Sequence, residues 1–283
     1  MKNLLKTTWI FSLTLLFCSS LLISCTQDQA IENSDVALYA ELGVETYDVD
    51  HIAGKMVMND HKIVYDVKDE KGEYFITLNI DDYTLEAWVD FDTEGLVHKG
   101  YDAVLSESQK EVLLSFVQQF GKILLNNNGN SPSKFEIGRM EYTFLNTVEY
   151  WSQAPRNYVY TNRTITTNMD TKSLRNDGVQ CLVAGKTYKL YFDDRNGNQS
   201  IEYEKTGYDG GGTFGCMGRC GADCGWGAPS AWTFDCFEHD ECGLELGASG
   251  GATSPDCGDE FNEAADDWTW GVWRGCSCAS CFN

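Results

Sequence analysis

The run Cys236-Phe237-Glu238-His239-Asp240-Glu241-Cys242 decides how the C-terminal part of the chain folds. On a helix, His239 stands three residues from each cysteine, about 60° from both around the axis. Disulfides at those two positions bolt the histidine's face to neighbouring segments. Asp240 points about 100° away. Side chains that far apart touch each other poorly, but both line one rim. A histidine held beside a carboxylate suits general-base work, because imidazole titrates near neutral pH. His239 is also the only histidine after residue 98. A lone His-Asp pair ordinarily marks a helix surface; the flanking cysteines and the loop upstream set this one apart. That loop is Asp223-Cys224-Gly225-Trp226-Gly227. Its glycines let backbone carbonyls turn toward a common point. Carbonyls plus one carboxylate are the hard oxygen ligands that calcium prefers.

Composition changes around this run. Residues 213–283 hold nine of the 12 cysteines, five of the eight tryptophans, 12 acids and two arginines. So short a segment stabilises a core poorly by itself, and disulfide staples compensate. Export supports that reading. Lys2 and Lys6 precede an apolar stretch over residues 7–24 that ends in Leu22-Ile23-Ser24-Cys25, a signal-peptide pattern for residues 1–24. Its last four residues resemble a bacterial lipobox, which makes Cys25 the lipidated residue. The expectation is an exported protein of the bacterial cell envelope, held by its own lipid anchor. Ten cysteines then remain beyond the leader and Cys25, an even, clustered set that reads as disulfides in an oxidising compartment. The rival zinc reading of Cys216, Cys220 and Cys224 lacks the usual C-x2-C pairs. The net charge of −22 excludes nucleic acid as a partner and disfavours anionic headgroups. A lipid partner must be met through apolar contacts or a bound cation. Trp226, Trp232, Trp268, Trp270 and Trp273 are either anchors at a lipid interface or core side chains.

Residues 25–207 read as a β-rich domain with one amphipathic helix. Alternating runs at 62–67, 74–80 and 83–89 predict antiparallel strands. Ser106 and Gln109 fit a capping box, followed by Leu113, Phe116, Val117, Phe120 and Leu124 at helical spacing. A second β-rich stretch runs over about 135–203 and ends in a hairpin, 187–192 and 201–204. Its turn, Asp193 to Asn198, faintly resembles a calcium loop, but the glycine is misplaced and no glutamate closes it. The region assembles no nucleophile, metal site or phosphate loop. A glycine joint at 208–212 leads to a mainly α domain over 213–283, and the fold class is α+β.

The motif Cys-x-x-His-Asp-x-Cys, preceded by Cys-Gly-x-Gly, resembles the secreted phospholipase A2 family. The resemblance covers about a quarter of the chain. It implies a calcium-dependent hydrolase of the sn-2 ester of glycerophospholipids, with a phospholipid interface as partner and Ca2+ as cofactor. It implies that the main-chain oxygens of Asp223, Gly225 and Gly227 bind calcium with the Asp240 carboxylate. His239 would then take a proton from water while calcium and the Gly225 amide hold the oxyanion. Cys224 would pair with Cys236, and Cys242 with Cys257. The family's orienting acid directly follows that last cysteine; here Gly258 stands there, Asp259 comes next, and Asp266 is the alternative. The interval from Cys224 to His239 is a few residues shorter than in the family's animal enzymes. The same residues also fit a calcium-stabilised binding or toxin-like module without turnover.

Overall fold

The computed structural model describes residues 42–127, 137–166, 178–183, 186–205, 216–221, 230–246 and 254–276. The leader, Cys25, the joint at 208–212 and the loop at 223–227 lie outside the described residues. Six strands form an antiparallel meander: β1 Val44–Asp48, β2 His51–Met58, β3 His61–Glu70, β4 Glu73–Ile80, β5 Tyr83–Asp90 and β6 Gly95–Lys99. The three strands expected from alternation are β3, β4 and β5. Ile63, Tyr65 and Val67 point inward along β3, while Lys62 and Lys68 face out. Asn59 and Asp60, both at positive φ, make the tight turn between β2 and β3 that the twist of a hairpin favours.

Helices α1 (Glu107–Asn127) and α2 (Arg139–Ser152) follow β6, and then β7 (Arg163–Thr166) returns to pair with it through Leu96 and Ile165. The capping box forms as expected. The Ser106 N–H donates to Gln109 Oε1 at 2.9 Å, and the Gln109 N–H donates to Ser106 Oγ at 3.3 Å. Phe116 and Phe144, from the two helices, close on Tyr65 of the sheet with ring centroids 5.2 and 5.5 Å away. The second helix corrects the expectation of a single one. Met140, Phe144, Val148 and Trp151 do repeat at helical spacing, but twelve of the α2 side chains are buried. A helix covered on nearly every side shows no polar stripe, so its period is hidden, and its Tyr, Thr and Val residues favour strand.

The remaining elements are a separate hairpin, β8 (Thr187–Asp193) and β9 (Gln199–Lys205), and the helices α3 (Phe234–Glu245) and α4 (Gly258–Trp270). Asp194 caps the hairpin turn by accepting the N–H groups of Asn196 and Asn198, each at 2.9 Å. The hairpin was grouped with the N-terminal region from sequence, yet it packs on the helix pair. Leu190 joins Leu182, Trp232 and Phe237, and Phe192 packs on Cys242 and Cys257. The outer edge of β8 is closed by helix side chains. Glu238 accepts the Tyr191 N–H at 2.7 Å and Glu260 accepts the Asp193 N–H at 2.8 Å, a cover that blunts strand-edge pairing. Disulfides join Cys181 to Cys276, Cys220 to Cys236 and Cys242 to Cys257. Leu42–Asn283 forms one compact unit. Among the described residues no helix is long and apolar enough to cross a membrane.

Candidate functional site

The start of α3 is knitted into its surroundings by backbone hydrogen bonds. The Thr233 N–H donates to the Gly218 carbonyl and the Phe234 N–H to Gln180, both at 3.0 Å; the Cys220 N–H donates to Ala231 at 2.9 Å. This pairing of 218–220 with 231–233 sets Cys220 beside the first turn of α3. The disulfide therefore runs from Cys236 to Cys220, with Cα atoms 5.3 Å apart, and not to Cys224 as expected. The cysteine bonded to the helix thus lies four residues further from His239 than Cys224 does. The other expected pair, Cys242 with Cys257, forms. It ties the end of α3 to the start of α4, while the Asp235 N–H meets Asp267 Oδ2 at 3.3 Å at the opposite ends. The two helices therefore run antiparallel.

Asp240 is half-buried on α3 and accepts the Gly218 N–H at Oδ2, at 2.8 Å. Gly218 has φ +88°, and a Cβ there would stand 2.5 Å from Leu182 Cδ1. Its positive φ favours glycine, and a Cβ would also stand 3.2 Å from Phe237 Cβ on the helix. Burial pushes the Asp240 carboxyl up to about 8, offset in part by the Gly218 N–H. The carboxylate is thus turned toward Gly218, while the loop at 223–227 that the sequence pointed to lies outside the described residues. The segment it meets is 216–221, immediately upstream of the one expected.

His239 is 2% exposed, and its ring lies 5.5 Å from that of Phe261 on α4. Nε2 is buried without a hydrogen-bond partner. Desolvation lowers the ring's pKa to about 3. Neither acid expected to orient the ring is hydrogen-bonded to it. Asp259, in the first turn of α4, interacts with Glu260, whose carboxyl burial and that hydrogen bond push up to about 9. Asp266 instead joins Asp235 and Asp267, three buried carboxylates with oxygens within 4.8 Å of one another. At Gly258, where the resemblance implied an acid, a Cβ would meet nothing closer than Tyr158 at 4.0 Å.

The sequence carried no hint of what α2 contributes. The Tyr150 ring stacks flat on Phe261 at 4.3 Å, and its hydroxyl donates to the Phe261 carbonyl at 3.2 Å. Asn146 donates to the Trp268 carbonyl at 2.9 Å. The Glu149 carboxylate lies 3.1 Å from where a Cβ on Gly221 would stand. The first two contacts span more than a hundred residues, and no local spacing announces any of them. Trp232, Trp268 and Trp270 are buried, so these three are core side chains and not interfacial anchors.

A protein-family model described as a domain of unknown function (DUF8213) matches residues 177–283. That span contains the β8–β9 hairpin together with the helix pair, in agreement with how they pack. No curated protein and no solved structure matches the chain.

Proposed function

We propose that this chain is a calcium-dependent hydrolase of the sn-2 ester of glycerophospholipids, carried on an exported, lipid-anchored protein. One observation supports this reading above the others. His239 and Asp240 are neighbours on a helix pinned by two disulfides, and the Asp240 carboxylate faces a glycine-bearing segment. The three disulfides among the described residues accord with an oxidising compartment. The donor chemistry fits calcium. Burial opposes the charge on Asp240, and Oδ2 alone accepts a hydrogen bond, which leaves Oδ1 for a hard cation. The carbonyls of Asp223, Gly225 and Gly227 would complete the set, as the resemblance implies. Calcium, when bound, supplies positive charge where the ester oxygen becomes anionic. His239 would take the proton of the attacking water, as the resemblance implies. The same proton then passes to the departing alkoxide.

A second reading has its own observation. His239 has no acid bonded to it, because Asp259 is engaged by Glu260 and Asp266 sits with Asp235 and Asp267. That arrangement suits a calcium-stabilised binding module without turnover. Phosphatidylcholine labelled at the sn-2 acyl chain separates the two. The hydrolase releases labelled fatty acid and lysophospholipid, and His239→Gln loses this by about a hundredfold or more. A purified chain that releases no fatty acid but gains thermal stability with calcium is a binding module.

A further inference from the structure

The outward face of β4, β5 and β6, opposite the helices, carries a second constellation that the hydrolase reading does not use. An open sheet face is ordinarily lined by polar side chains. Here Phe75, Trp88 and Val97 form a cross-strand row, paired in register as Phe75 with Trp88 and Trp88 with Val97. Phe75 remains 38% exposed.

Trp88 is held in one orientation. Its Nε1–H donates to Glu73 Oε2 at 2.8 Å. Its ring lies over Gly95, where a Cβ would stand 2.8 Å from Cζ3 and 2.9 Å from Cη2. A side chain at that position would displace the indole from where it lies. The result is a fixed aromatic platform in a groove of about 550 Å3, within the ordinary range of small-ligand sites. A second cleft of about 400 Å3 shares Glu86 with it and continues to Tyr83 and Tyr101. The track is therefore elongated.

Two carboxylates and one ammonium line its floor, and each is engaged by a neighbour. Lys99 Nζ lies 3.5 Å from Glu86 Oε2, which also accepts the Tyr101 hydroxyl at 2.7 Å, and Glu73 is engaged by the indole. An anion entering the groove meets two carboxylates, and a cation meets Lys99. In a chain of net charge −22 this floor repels anions, and its mix of hydrogen-bond donor and acceptors beside an aromatic face complements an uncharged, polar occupant.

We propose that this face binds a neutral oligosaccharide, one sugar ring stacked by its C–H face on Trp88 and its hydroxyls reaching Glu86 and Lys99. An aromatic face matched to an apolar body with a polar edge is the chemistry such a ring requires. This site and the helix pair are independent, and neither depends on the other's activity.

Calorimetric titration of the full chain with cellohexaose, chitohexaose, maltohexaose and laminarihexaose tests the proposal. At least one should bind. Trp88→Ala should weaken that binding by about tenfold or more, a loss near 1.4 kcal/mol, with an unchanged melting temperature. Trp88→Phe should recover part of it, and Gly95→Val, which lifts the indole, should mimic Trp88→Ala. The proposal is overturned if none of the four binds or if binding survives Trp88→Ala. It is equally overturned if that substitution instead abolishes self-association or retention on phosphatidylcholine vesicles.

Discussion

Burial sets the protonation of the acids along the helix pair, and Glu260 offers the cleanest handle on it. Its folded-state carboxyl titrates at about 9, well above an ordinary glutamate. The unfolded chain therefore loses this proton first as pH rises. Between about pH 4.5 and 9 the folded state binds more protons than the unfolded state, so stability falls with rising pH and levels off above that range. Glu260→Gln keeps an acceptor for the Asp193 N–H and removes the titration. Melting temperatures from pH 5 to 9 should fall less steeply in Glu260→Gln than in the parent, and parallel curves would contradict this account. At this scale the sequence was informative where spacing is local. His239 and Asp240 follow from one short helix, while the Cys242–Cys257 pair was what the resemblance implied. It failed where two candidates stood four residues apart, since nothing local tells Cys220 from Cys224. It failed again at Asp259 and Asp266, because Phe261, and neither acid, is the α4 side chain seen against His239.

At the scale of elements, α3 is positioned by what is stitched to its two ends. The Cys220–Cys236 bond closes a loop with a sequence separation of 16. Chain entropy makes such a link worth about 3 kcal/mol. Replacing both cysteines with alanine should lower the denaturant midpoint accordingly. Cys224→Ala should leave the peptide carrying Cys236 still linked to that carrying Cys220, as read by mass spectrometry without reduction. A Cys224–Cys236 peptide in the parent chain would refute the arrangement. The strands β3, β4 and β5 and the capped start of α1 were legible because one face of each is wet and the other dry. The helix α2 was not, because it is enclosed between the sheet and α4 and shows no wet face along its sequence. The hairpin was legible as a hairpin, but its partner was not. Alternation along β8 says which residues are buried and not what buries them.

Across the whole molecule, the sheet and the helix pair share a wall. Tyr150 and Asn146 reach α4 from α2, Arg163 NH2 donates to the Asn262 carbonyl at 3.1 Å, and Phe91 meets Trp270 edge-on at 4.7 Å. The region that showed no chemistry of its own in the sequence thus supplies the surface against which the candidate site is built. Two proposals stand for one chain: ester cleavage at the helix pair on one side of that wall, and oligosaccharide binding on the far face of the sheet. The central claim is the first of these, and it turns on the metal as much as on the histidine. The direct measurement is fatty acid release from phosphatidylcholine by the purified chain as free calcium is buffered from nil to millimolar. The account predicts release that appears only with calcium and is lost in Asp240→Asn, whose melting temperature should also no longer respond to calcium. Release that is indifferent to chelator and to Asp240→Asn would contradict it.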